Sequence, residues 1–285
     1  MKQIAFLFLT LNNPNFTKIW DSYLKGHSVK YNIYIHPKYP EQVSWKKSKI
    51  IKNLKETGWG FIVEAEYELL KEAYKNKNNV KFVTISESDI PITSFDKFYN
   101  DCINDDKSWI KFMKIKQYNW NERINKQPAI GKTKHFIKHY ARFCLNREHV
   151  GQLLKSYIKL KFFMKMHVGD EFFLSVLYPL KNVRDFAITY DDWDYVHDLG
   201  KKIKEKKRKL YENQEKTGSN RSNELKKLQN EYNQLVKSPK TIVKVSHEDL
   251  LKIKNSKAYF YRKFSKDSNI EKYWKNIINK KYKKI

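Results

Sequence analysis

Apolar and polar positions along the chain alternate between two periods. "IAFLFLTLNN" (4–13) is an apolar run that ends in two asparagines, the pattern of a buried strand stopping at a turn. "FTKIWDSYLKG" (16–26) changes to helical spacing and closes on Gly26. "YNIYIHPK" (31–38) alternates like a strand, and Pro37 ends it. Strand, helix, strand in this order predicts a right-handed βαβ unit and a parallel sheet. "IVEAEYELLKEAYKN" (62–76) keeps Ile62, Ala65, Leu69, Leu70 and Ala73 on one helical face, and "VKFVTISESDI" (80–90) follows as the next strand. The repeat of the unit predicts an α/β sheet of the nucleotide-binding sort.

Further along, "ARFCLNREHVGQLLKSYIKL" (141–160) reads as a strand end feeding a helix. "GDEFFLSVLYPL" (169–180) reads as a helix with Asp170 and Glu171 in its first turn, where acids suit the helix dipole. "FAITYDDWDYV" (186–196) reads as a strand with aromatics at its end, and "TIVKVS" (241–246) as a short strand. Residues 200–237 carry charged helical sequence around "TGSNRS" with a thin apolar stripe, which predicts a helical hairpin inserted into a single domain spanning 1–285. That hairpin is either a decoration or a contact for a partner or nucleic acid. The tail "YWKNIINKKYKKI" (273–285) is amphipathic and basic, and fits a solvated terminal helix or a helix lying on an acidic membrane surface. The polar stretch 101–135 gives no clear element.

The stretch "FVTISESDIPI" (82–92) places Glu87 and Asp89 just past a buried strand. Ligands of open α/β sheets bind beyond the carboxyl ends of the strands, so both acids lie where a substrate is expected. The competing reading makes them solvated neighbours of a helix that starts at Ser94 or Asp96.

Composition adds charge. The chain has 285 residues and a formal net charge of +27, with 51 Lys against 7 Arg. This balance reflects either a composition bias toward Lys and Asn or attraction to a polyanion. Phosphate readers favour the Arg fork, so the dominance of Lys speaks against specific nucleic-acid recognition. Aromatics at 15%, which disordered chains lack, predict that most of the chain folds. Cys102 and Cys144 are too few for a disulfide scaffold, so a reducing compartment is expected, with one bridge as the alternative. The early apolar run is too short for a signal peptide or membrane span, which predicts a soluble, cytoplasmic protein. There is no P-loop, GxGxxG, HExxH or paired CxxC. His135 and His139 have the four-residue spacing of zinc ligands without the surrounding motif, and no metal role is expected of them.

Six ordered stretches together carry a resemblance: "WGFIVEAEYELL", "NVKFVTISESDIPITSFDKFY", "ARFCLNREHV", "GDEFFLSVL", "ITYDDWDYV" and "AYFYRKF". The chain resembles the core-2/I-branching glycosyltransferases, glycosyltransferase family 14, and within them the plant-like branch. The resemblance implies a GT-A fold, a Rossmann-like mixed sheet flanked by helices. It also implies a UDP-sugar donor, a glycan or glycoprotein acceptor, and transfer of N-acetylglucosamine or xylose with inversion and without a metal ion.

Residue by residue, the family's general base falls on Glu171 in Gly169-Asp170-Glu171. The leaving diphosphate falls to Lys263 and Arg262 of "FYRKF" and to Lys240 upstream, with Lys244 as a near alternative. Trp193 and Tyr195 match an aromatic pair for the acceptor sugar, beside Asp170. Asp89 and Glu87 match a signature at the centre of the site, where Asp89 is expected to position sugar hydroxyls. Leu11, Asn12 and His36 are expected at the nucleotide, and Glu64 and Glu66 in the same cleft. Glu87 and Asp89 also have the spacing of a degenerate metal motif, so a Mn- or Mg-assisted transferase is the alternative to the metal-free one. A further alternative is an inactive protein of the same fold that binds nucleic acid. The chain departs from the family pattern at Gly169, where the family has Pro, and at Arg142, where it has Trp. It also lacks the anchor, stem and many cysteines of animal relatives, which fits a cytosolic or virus-like enzyme.

Overall fold

The computed structural model describes residues 1–114, 136–212 and 238–280, together with 223, 224, 226, 227 and 230. Its strands are β1 (Gln3–Thr10), β2 (Tyr31–Pro37), β3 (Lys49–Ile50), β4 (Asn79–Ser86), β5 (Ile90–Pro91) and β6 (Ser108–Trp109), then β7 (Phe112–Lys114), β8 (Ile137–His139), β9 (Cys144–Asn146), β10 (Val183–Arg184), β11 (Thr189–Asp191) and β12 (Phe260–Arg262). The helices are α1 (Thr17–Tyr23), α2 (Val63–Tyr74), α3 (Phe95–Asn104), α4 (Arg147–Lys155), α5 (Tyr157–Lys165), α6 (Asp194–Glu212), α7 (His247–Asn255) and α8 (Glu271–Ile278).

Seven strands form the main sheet in the order β10-β6-β9-β4-β1-β2-β3. β1 is its axis and pairs in parallel with both β2 and β4. Alternate residues of β1 enter opposite cores. Ile4, Phe6 and Phe8 face the α1 side, while Ala5 and Leu7 face the α2 side. A strand buried on both faces needs a continuous apolar run, and this is why "IAFLFL" does not alternate. Trp20 of α1 meets Phe8 edge-on at 4.9 Å and stacks on Phe260 at 5.9 Å. The sheet is mixed, as the family resemblance implies: the β1 pairings with β2 and β4 are parallel, and β9 pairs antiparallel with β4 and β6.

Three local expectations change. "GDEFFLSVLYPL" forms two short 3-10 turns, Gly169–Glu171 and Phe173–Leu177, because Phe172 between them leaves helical geometry. "TIVKVS" makes only an isolated bridge, Ile242 to Phe264. The strand at 186–196 is confined to β11, and α6 begins at Asp194. α6 supplies the first arm expected at 200–237; most of the second arm lies outside the described residues. The apolar side of the terminal helix is spent on the core: Trp274 and Ile277 of α8 are buried, and Trp274 Nε1 donates to the Pro91 carbonyl at 2.8 Å. Among the described residues, no helix is long and apolar enough to cross a membrane. Cys102 and Cys144 meet in the core as free thiols, 3.5 Å apart.

A small second sheet, β11-β12-β5, decides the site. β12 runs antiparallel to β5, immediately after Asp89, and parallel to β11, where Asp191 lies opposite Arg262. Residues from three distant parts of the sequence are thereby set side by side at the carboxyl end of β4.

Candidate active site

Asp89 is fully buried in the turn after β4. Its Oδ2 accepts from the Ser86 backbone N–H at 2.7 Å and its Oδ1 from the Ser86 hydroxyl at 2.8 Å. Arg142 Nε lies 3.3 Å from Oδ2 and Arg262 Nε 3.5 Å from Oδ1. The expected positioning of sugar hydroxyls, and the alternative metal role, both fall on a carboxylate enclosed by these internal contacts. It anchors two guanidiniums. Nor are these acids solvated neighbours of a helix start, although Ser94 does cap α3 by accepting from the Lys97 N–H. Glu87 ties the loop after β1, since its Oε2 accepts from the Leu11 N–H at 2.8 Å.

Around Asp89, four carboxylates share two arginines. Arg262 Nη1 reaches Asp191 Oδ1 at 3.5 Å, and the Arg142 charge also acts on Glu66 and Asp170. The acids outnumber the cations, so burial dominates their ionisation. Desolvation raises Glu66 well above the usual carboxylate range; nearby Asp170 adds to this and Arg142 opposes it. Burial and the neighbouring Glu171 raise Asp170. Burial pushes Asp191 up to about 6, against the pull of Arg262.

A carboxyl group with a raised folded-state pKa binds more protons folded than unfolded between the two values. Asp191 therefore contributes stability below about pH 4 that is lost as pH rises through about 6. Asp191→Asn is expected to flatten this dependence. Relative to wild type, the variant should gain up to ~3 kcal/mol between pH 4 and 7, read by urea unfolding at each pH. A wild-type-minus-variant difference that does not change with pH would refute the assignment.

Glu171 follows Asp170 in the 3-10 turn Gly169–Glu171. The turn that carries it is fixed by unusual backbone. Val168 adopts a left-handed φ of 59°, a strained state for a β-branched residue. Its N–H donates to the Gly60 carbonyl at 2.7 Å, and Glu171 N–H returns to the Val168 carbonyl at 3.1 Å. A Cβ on Gly169 would lie 2.1 Å from the Phe163 carbonyl oxygen. Gly169 N–H also donates to Met166 O at 3.0 Å, a bond that proline would lack. Those two constraints explain glycine at this position. Asp170 points inward and is buried, whereas the Glu171 side chain is 34% exposed and pairs through Oε2 with Lys138 Nζ at 3.0 Å.

The expected phosphate contacts separate. Lys263 is half-buried, and burial and the Arg262 charge lower its pKa while Glu87 raises it. No carboxylate among the described residues lies within ion-pair distance of it. Lys240 is committed instead to Asp249 Oδ1 at 2.6 Å, in the capping box of α7. Arg262 is taken up by Asp89 and Asp191.

In the loop after β1, Leu11 is exposed and Asn12 Nδ2 donates to Gln42 Oε1 at 3.2 Å. A cleft of about 330 Å³ opens beside them, lined by Asn13, Thr17, Asp21, Trp45, Lys46 and Lys47. His36 is fully buried and its Nε2 accepts from the Lys55 N–H at 2.9 Å, so it braces a loop and does not face the cleft. Glu64 pairs with Lys55 at 3.0 Å. Trp193 is half-buried next to Asp192, which Lys252 holds at 3.0 Å. Tyr195 falls in α6, with its side chain outside the described residues. His139 is a core residue: burial lowers it to about 4, and its ring lies against the Tyr140 carbonyl and the Leu174 N–H. His135 lies outside the described residues.

Sequence reasoning missed Asp191 and Lys138, and it read Arg142 only as a departure. One signal was present. In a chain with 51 Lys and 7 Arg, Arg142 and Arg262 stand where a fork meets the buried carboxylates. Arg147 uses its fork as well, donating to the Asn76, Asn79 and Tyr74 carbonyls.

Part of the chain resembles the rice (Oryza sativa subsp. japonica) protein "Glycosyltransferase BC10", 25% identical over 134 residues, or 43% of this chain. The match spans about a third of the rice protein's length, 34%. Among solved structures, a glucose-1-phosphate thymidylyltransferase from Bacillus anthracis aligns with a TM-score of 0.34 and 8% identity, over 65% of this chain and 87% of that one. Glycosyltransferase GlyE of Streptococcus pneumoniae aligns with a TM-score of 0.37 and 13% identity, over 86% and 69%. A shared fold does not follow from scores of that size. The family described as Core-2/I-Branching enzyme matches residues 4–229, which hold both Glu171 and the buried charge cluster up to Asp191. This chain belongs to the Core-2/I-Branching enzyme family, a family of glycosyltransferases.

Proposed function

We propose that the protein is an inverting glycosyltransferase that moves a sugar, N-acetylglucosamine first among candidates, from a UDP-sugar to a hydroxyl of a glycan or glycoprotein. One observation carries the reading: a partly exposed carboxylate, Glu171, on a rigid turn, and a half-buried lysine, Lys263, with no carboxylate within ion-pair distance among the described residues, each adjacent in the chain to a member of the buried charge cluster. In the reaction, an acceptor hydroxyl hydrogen-bonds to Glu171. Its oxygen attacks the anomeric carbon, its proton passes to the Glu171 carboxylate, and the anomeric C–O bond to UDP breaks with the electron pair leaving on phosphate. Lys263 neutralises the charge that develops there. Lys138 orients the Glu171 carboxylate.

The metal-assisted alternative requires oxygen ligands from Glu87 and Asp89. Both acids are already engaged, by Leu11 and by two arginines, which supports the metal-free reading. The 330 Å³ cleft is the place we assign to the nucleoside end of the donor.

The reading is tested by a panel of UDP-sugars with a mixed glycan acceptor, with and without EDTA, measuring released UDP. Turnover of one donor that persists in EDTA is expected. Turnover lost in EDTA would return the leaving group to a metal, and no turnover or UDP binding at all would sink the proposal. Lys263→Ala is expected to weaken UDP binding by about tenfold or more, the loss of one charge-assisted phosphate contact. Calorimetric titration with UDP reads this directly, and an unchanged Kd would remove Lys263 from the site.

A further inference from the structure

We infer that Trp59 and Phe61 form a platform on which a pyranose ring of the acceptor rests. The inference rests on the transferase reading of Glu171 above. Trp59 is 69% exposed and Phe61 45% exposed, unusual for large aromatics so close to a candidate site. They flank one ring, with His167 5.0 Å from Trp59 and 5.4 Å from Phe61.

The pair does not sit on a loose loop. Gly58 and Phe61 exchange backbone hydrogen bonds, N–H to carbonyl in both directions. Gly60 between them takes φ +79°, and a Cβ there would come within 2.8 Å of the His167 ring and 3.0 Å of the Val168 nitrogen. Only glycine lets the turn press against His167 and Val168. The Gly60 carbonyl then receives the Val168 N–H, and Val168 in turn accepts from Glu171. Two hydrogen bonds therefore connect the aromatic turn to the candidate base. This turn also leads directly into α2, which brings Glu66 to the buried cluster.

The chemistry selects a neutral sugar. A pyranose ring has an apolar C–H face and a rim of hydroxyls. Exposed rings that are rigid and amphipathic at the edge match the face. Polar groups beside them, the His167 imidazole and Glu64, match the rim. Trp193 serves this role less well, because it is half-buried beside the Asp192–Lys252 ion pair.

The test measures saccharide binding separately from turnover. Saturation-transfer NMR with methyl β-galactoside and methyl β-N-acetylglucosaminide is run on wild type, Trp59→Ala, Trp59→Phe and Phe61→Ala. Wild type is expected to bind at least one of the two, Trp59→Ala to bind it at least tenfold more weakly, and Trp59→Phe to recover most of the loss. A matching rise in acceptor KM, with thermal midpoints equal to wild type, is expected wherever turnover is measurable. Equal binding by wild type and Trp59→Ala, or no binding of either saccharide by wild type, would overturn the platform. Saccharide binding that depends on Trp59 in a protein that cleaves no UDP-sugar would sink the transferase reading and leave the platform standing.

Discussion

Glu171→Gln is expected to lower the transfer rate by about 10²–10⁴-fold while UDP still binds. Gln has the same shape and still accepts a hydrogen bond, but it cannot take the acceptor's proton. The side chain is partly exposed and its Lys138 partner reaches solvent, so little of the fold depends on its charge. The loss should therefore fall on kcat and not on the thermal midpoint. Steady-state transfer and UDP titration on the same preparation separate the two. Turnover of the variant within a few-fold of wild type would mean that another group takes the proton.

Arg142→Met is expected to be the most destabilising of these substitutions, by about 3–5 kcal/mol. Its guanidinium is buried, touches Asp89 and acts on Glu66, Asp170 and Asp191. Methionine fills similar space but leaves Asp89 to Arg262 alone. Glu66 and Asp170 lose the cation that opposes their burial. The effect should shrink in acid, because carboxyl groups with raised pKa values take up protons there and no longer need a counter-charge. Chemical denaturation at pH 5 and pH 8 measures both statements. A loss that is equal at the two pH values would show that packing, not charge, is what Arg142 supplies.

Much of the fold was legible because β1, β2, α1, α2 and β4 obey simple periodicities. Each is long enough to hold its period, and each buries a complete face. The failures are short elements whose shape is set by neighbours. The turn at Gly169 reads as a helix start from its acids, yet the Phe163 carbonyl behind it and Gly60 beside it hold it as a 3-10 turn. β9 reads as another strand, but only its partners fix its antiparallel direction. For the site, the resemblance pointed to Glu171 and Lys263, and both have side chains that are partly open. It also pointed to Lys240, Arg262 and Asp89, which the structure spends on internal ion pairs.

The sequence by itself determined the α/β layering and the placement of Glu87 and Asp89 just past β4, because burial patterns and turn residues are local properties. Only the tertiary structure decided which acids stay inside, that Glu171 is partly exposed, and that Lys263 has no carboxylate within ion-pair distance among the described residues. That choice depends on pairings between residues far apart in the chain: Asp89 with Arg142 and Arg262, Arg262 with Asp191, and Gly60 with Val168. Charges in a low-dielectric interior select their partners by distances of a few ångströms, and one-dimensional spacing does not encode such distances.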